Sequence, residues 1–226
     1  MRAEIAEALP KRVRFTGEWP LPTPRRAPPG TALRGLQDAM PPCADGSRPV
    51  LSGDGRERAM LIGQAPGHRE IALGLPFAGD AGKRLVGWLG LAGVTVGDFR
   101  DRWYVTSVGK CYPGRADGAS ADRAPSRSEV ARWAPVLAEE IRLVRPDLVL
   151  LVGGLAHRFA FGEEARLDRL VGRELHCDRA PGASVLCLPH PSGASTWLYE
   201  PAHVELWRRA IALLAAQWAA LGSRSP

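Results

Sequence analysis

Residues 63–77 read GQAPGHREIALGLPF, which puts a Gly-x-x-Pro-Gly turn, the lone carboxylate of Glu70 and the ring of Phe77 in one short stretch. Two glycines and a proline so close together mark a rigid turn in which the backbone can approach a ligand closely. On these residues alone a purely structural turn remains the alternative. Two later stretches have the same form, SVGKC (107–111) and LPHPSG (188–193), each following an apolar run. In a parallel sheet such loops converge at the carboxyl ends of the strands, where ligands bind. No G-x-x-x-x-G-K-[ST] or G-x-G-x-x-G occurs, which disfavours an enzyme of nucleotides or phosphate esters built on those phosphate cradles.

The elements that must position these loops are legible as an alternation. Strand-like runs occupy 59–64, 103–109, 147–154 and 184–190. Helical patterns lie between them at 79–92, 126–144 and 154–161, and a last one covers 201–220. Strands separated by helices predict a parallel sheet covered on both faces, a three-layer α/β/α fold with a central four-stranded parallel sheet. Residues 1–40, with the proline-rich EWPLPTPRRAPPG, read as an arm that is packed on the surface or partly mobile, and 41–226 as one domain. Residues 111–126 form a long polar loop, a length often associated with function.

Composition sets the outer limits. The 226 residues are 45% hydrophobic and 24% charged, enough for a real core and against global disorder. The formal charge of +6, carried mostly by arginine, favours an anionic partner such as nucleic acid. No run of eighteen apolar residues occurs, so no membrane span is expected. The N-terminus does not resemble a secretory signal, so a cytoplasmic, nucleoid-associated monomer is the expectation. Cys43, Cys111, Cys177 and Cys187 form no C-x-x-C pair and read as buried free thiols.

GQAPGHREIALGLPFAGDAGKRL resembles the first motif of the uracil-DNA glycosylase superfamily in its family-4 form, G-E-x-P-G-x-x-E-D-x-x-G-x-P-F-V-G-x-A-G. TSVGKCYPG resembles the family's T-N-x-x-K-C-x-P, and LPHPSG its last motif, H-P-S/A. The resemblance implies a DNA glycosylase that flips a damaged base out of the helix and hydrolyses its N-glycosidic bond. It makes Phe77 the ring that stacks on the base. Glu70 would orient water and stabilise a cationic sugar, and His190 would donate to the base O2 as negative charge grows there. Gln64 and Ala65 would present backbone groups to the rim of the base, and Ser107 would face its edge. The implied DNA contacts are Gly67, Lys110, Arg123 and Arg127, a phosphate contact from Ser192, and Gly193 beside it. Trp197 and Leu198 would wedge into the gap left by the flipped base, although Trp197 reads equally well as a core residue.

Departures from the pattern qualify the expectation. Gln64 replaces a glutamate and Ile71 an acid; the change at Gln64, together with the loss of an asparagine at Ser107, leaves a non-catalytic or tight binder of uracil-containing or abasic DNA as the alternative. Ser107 replaces the asparagine that reads the uracil edge, so a broader set of damaged bases is expected. The family's iron–sulfur cluster needs four cysteines, and Trp133 stands at one of their positions, so neither a cluster nor any other cofactor or metal is expected. In a covalently trapping relative a histidine occupies the loop that here reads GASADRAPSR, with Asp122 nearest its place; turnover is therefore expected rather than a covalent trap.

Overall fold

A computed structural model of the protein describes residues 2–16, 24–115 and 122–223. Residues 17–23 of the proline-rich stretch and 116–121 of the long polar loop lie outside the described residues.

Four strands, β1 (Ala59–Gly63), β2 (Trp103–Ser107), β3 (Leu148–Val152) and β4 (Ser184–Leu188), form one parallel sheet in the order β2-β1-β3-β4. Every residue in all four strands is buried, so both faces of the sheet are covered, as near-continuous apolar runs require. The helices before and between the central strands are α1 (Arg2–Glu7), α2 (Ala32–Ala39), α3 (His68–Leu73), α4 (Asp80–Leu91), α5 (Val96–Asp101) and α6 (Arg127–Val144). After β3 come α7 (Gly154–Phe161), α8 (Leu167–Leu170) and, beyond β4 and the 3₁₀ turn Trp197–Tyr199, the long α9 (Pro201–Ser223). The layered α/β architecture expected from the alternation is what the chain adopts. Trp88 of α4 meets Trp207 of α9 edge to face, 5.7 Å between centroids. No helix among the described residues is long and apolar enough to cross a membrane.

The N-terminal 40 residues are tied to this body where they are described. Ile5, Ala27 and Leu33 are buried in the same core as the sheet. Trp88 donates its indole N–H to the Pro10 carbonyl at 2.7 Å.

Three expectations are corrected by the structure. Lys110 cannot contact DNA, because its ammonium is wholly buried against the Glu140 carboxylate at 2.5 Å and also donates to the Ser107 carbonyl at 2.8 Å. Leu198 is 6% exposed and belongs to the core, so it is not a wedge. Cys43 and Cys111 are not free thiols but a disulfide. Between them in sequence, the chain at Val50 and Ser52 runs beside β2, with Val50 N–H donating to the Lys110 carbonyl and Ser52 bridging Val105. That pairing brings the 43 region to the end of β2, where Cys111 stands. Cys177 and Cys187 remain thiols, the latter buried in β4.

Two outcomes follow from these contacts. Thiol titration of the unfolded, unreduced protein should count two cysteines, and four after reduction; four without reductant would contradict the disulfide. Removing a crosslink that spans 68 residues should cost about 4 kcal/mol of stability. Leu198→Ala should lower unfolding free energy by about 2–4 kcal/mol through the cavity it leaves. An unchanged denaturation midpoint would mean the side chain is free to leave the core.

Candidate active site

The carboxyl ends of β1, β2 and β4 open onto a cleft of about 820 Å³. From the first motif it is lined by Gln64, Ala65, Gly67, Glu70 and Phe77, and from the later loops by Ser107, His190 and Ser192, with Arg123 at its side. The three loops singled out in the sequence do converge. Arg127, Gly193 and Trp197 are not among its walls.

Phe77 is held in the left-handed region, φ 54°, a conformation a bulky residue adopts only where its surroundings impose it. The imposition is visible on both sides. A Cβ on Gly63, the last residue of β1, would stand 2.9 Å from the tip of the Phe77 ring. A Cβ on Gly82 in α4 would overlap the Phe77 carbonyl. The two glycines thus let the ring tip close on the end of β1 and let α4 pack immediately beside the Phe77 backbone. Phe99 supports the ring edge to face at 6.5 Å.

Glu70 sits in the first turn of α3, and its carboxylate is fixed by backbone donors from two helix starts. Gly67 N–H donates to Oε2 at 3.1 Å and Gly79 N–H to Oε1 at 2.8 Å. These are the N-cap residues of α3 and α4, so the charge rests at two helix N-termini where it is stabilised. Lone pairs remain on both oxygens for water.

His190 follows β4 and lies against Gly153, where a Cβ would approach its Cδ2 to 3.0 Å. The Ser192 backbone N–H donates to His190 Nδ1 at 3.2 Å. A ring nitrogen that accepts carries no proton, so the neutral ring bears its hydrogen on Nε2. Burial holds the imidazole below its ordinary pKa, which keeps it neutral at neutral pH. The cleft is therefore lined by a neutral N–H donor, a fixed carboxylate and an aromatic ring.

Ser107 spends its proton locally, donating to the Gly109 carbonyl at 2.6 Å. It offers the cleft lone pairs only. Arg123 has its guanidinium forked onto Glu129 at 2.7 and 2.8 Å, which holds that carboxyl down at about 2. Arg127 and Gly193 are exposed. Trp197 is partly buried and stacks on His203, 4.1 Å between centroids and 2° from parallel.

Sequence reasoning missed other walls of the cleft. Asp80 opens α4, and His68 and Arg69 open α3. Arg115 and Asp122 belong to the long polar loop, and Tyr112 donates to Asp122 at 2.8 Å. The loop's length was a signal for the last pair; nothing in composition marked the others.

The cysteines do not fit an iron–sulfur cluster. Cys43 and Cys111 are spent on each other, Trp133 is buried in α6, and Cys177 and Cys187 belong to the β4 region. Among the described residues no group of three or more histidines, cysteines or acids could hold a metal.

The family model of the uracil DNA glycosylase superfamily matches residues 52–215. Among curated proteins, the type-4 uracil-DNA glycosylase of Archaeoglobus fulgidus is 31% identical over 129 residues, 54% of this chain and 60% of that protein. Its counterpart in Pyrobaculum aerophilum is 34% identical over 106 residues, 46% and 49%. That of Thermotoga maritima is 29% identical over 129 residues, 56% and 62%. The chain thus spans about half to three fifths of the length of the curated relatives it matches. The match runs from just before β1 into α9 and takes in every cleft residue named above: the chain belongs to the uracil DNA glycosylase superfamily.

Proposed function

We propose that the protein is a monofunctional DNA glycosylase that hydrolyses the N-glycosidic bond of uracil in DNA. The observation that carries this reading is the placement of a neutral Nε2–H donor, a backbone-fixed carboxylate and a stacking ring in one cleft. Family membership and the type-4 relatives support it.

The chemistry needs those three parts. A base inside the duplex stack is out of reach, so the nucleotide must be flipped into a pocket, where a flat ring replaces lost stacking. As the bond between C1′ and the base nitrogen breaks, its electron pair goes to the base and the sugar becomes cationic. His190 Nε2–H would donate to the base O2, where the negative charge grows. Glu70 would face the cationic sugar and hold the water that adds at C1′, the water's proton leaving to solvent through the carboxylate. Ser192 would hold a phosphate beside the flipped nucleotide.

Ser107 bears on substrate range. With its proton on Gly109, it can accept from the N3–H of uracil, but it gives O4 no donor. A site that leaves one edge position unread rejects analogues less strongly. We infer activity on further bases that carry an imino N–H, such as hypoxanthine, beside uracil.

A panel of single-lesion oligonucleotides tests both statements by release of free base. Wild-type protein should release uracil; binding without release would favour a non-catalytic reader of damaged DNA. His190→Ala should slow release by about 10²–10³, the usual cost of one donor to a developing anion. Glu70→Gln should cost a comparable amount. DNA affinity should change little in either variant, because phosphate contacts dominate it.

A further inference from the structure

The proton position on His190 is set from outside the cleft. The N–H that donates to Nδ1 belongs to the peptide linking Pro191 and Ser192. The carbonyl of that same peptide, on Pro191, accepts from the Arg84 guanidinium, Nη1 to O, at 2.5 Å. Arg84 is 8% exposed and projects from the second turn of α4. A cation on the carbonyl oxygen of an amide draws electron density toward that oxygen and makes its N–H a stronger donor. The chain of contacts is therefore guanidinium, peptide, imidazole, with every polarity aligned.

We propose that Arg84 is a positioning residue for His190: acting through the Pro191–Ser192 peptide, it fixes the imidazole as the Nε2–H tautomer that faces the cleft. The proposal rests on the glycosylase reading for its catalytic consequence, but not for the tautomer itself.

Three features of the surroundings agree with a dedicated role. A buried arginine is costly unless its charge is used; among the described residues no carboxylate forms an ion pair with Arg84, and Asp80, at the start of the same helix, acts on it only through space. Its Nε has no partner, so the Pro191 carbonyl is the group its fork is committed to. The far side of the same loop is also pinned, since Lys11 Nζ donates to the Ser195 carbonyl at 2.8 Å. Held at Pro191 and at Ser195, the loop cannot swing to turn the Ser192 N–H away from the ring. Arg84 also stands on the helix that Gly82 packs against Phe77, so one rigid element sets the stacking ring and the histidine together.

The test compares Arg84→Met, which keeps the length and removes the charge, with Arg84→Lys, which keeps the charge. Nitrogen-15 NMR of histidine-labelled protein reads the tautomer directly. Wild type should show His190 with an unprotonated Nδ1 and a protonated Nε2. Arg84→Met should show a mixture of tautomers and release base roughly tenfold more slowly at unchanged DNA affinity, as expected when a catalytic imidazole loses its orienting partner. Arg84→Lys should restore the wild-type tautomer and most of the rate. An Nδ1–H tautomer in wild type overturns the proposal, even if neither variant folds. So does a folded Arg84→Met with an unchanged tautomer, or an Arg84→Lys as impaired as Arg84→Met, which would mean packing and not charge. If wild type releases no base at all, the glycosylase reading fails, and the tautomer still decides this inference.

Discussion

The Lys110–Glu140 ion pair anchors the site from below. Both side chains are wholly buried, and the charges are satisfied by a closed set of contacts: Tyr104 and Thr106 donate their hydroxyls to Glu140, and Lys110 reaches Thr106 and the Ser107 carbonyl. The pair locks α6 to the end of β2, where the chain must turn sharply through Ser107, Val108 and Gly109. Gly109 N–H then donates to the Gln64 carbonyl, and Val108 N–H to Gly63. The first and second loops of the cleft are thus held by one buried charge pair and two backbone bonds. Removing either partner would strand an uncompensated charge, typically at a cost of about 3–5 kcal/mol. The lysine in SVGKC is therefore a foundation of the site and not a ligand of it.

Above that foundation Glu70 and His190 are fixed by different contacts. The carboxylate of Glu70 is fixed by N–H groups at two helix starts, whereas His190 stays neutral through burial and is oriented by a single peptide. A negative group and a neutral donor in one cleft suit a reaction in which cationic sugar and anionic base separate. Helix α4 joins these halves, since it begins at Gly79, packs on Phe77 through Gly82 and reaches the histidine loop through Arg84.

Much of this was legible in the sequence because it rests on local pattern. The strands are near-continuous apolar runs, as buried parallel strands tend to be, and the first motif gathers Glu70 and Phe77 within eight residues. What was not legible rests on contacts between distant residues. A lysine is ordinarily exposed, so Lys110 reads as a surface cation until Glu140, 30 positions away, is brought beneath it. The disulfide depends on Val50 and Ser52 running beside β2, and that stretch has no periodicity of its own. Arg84 and Pro191 lie 107 positions apart. Trp197 and Leu198 are large and follow the histidine loop, which suits a wedge as well as a core; the stack on His203 and the burial of Leu198 decide where they sit.

The central claim is that one cleft receives the flipped base between Phe77, His190 and Ser107. A crystal structure of the protein with uracil bound tests it most directly. The account predicts uracil flat on the Phe77 ring, its O2 within hydrogen-bond distance of His190 Nε2 and its N3–H toward Ser107 Oγ. Uracil bound elsewhere, or seated here with O2 turned away from His190, would contradict it.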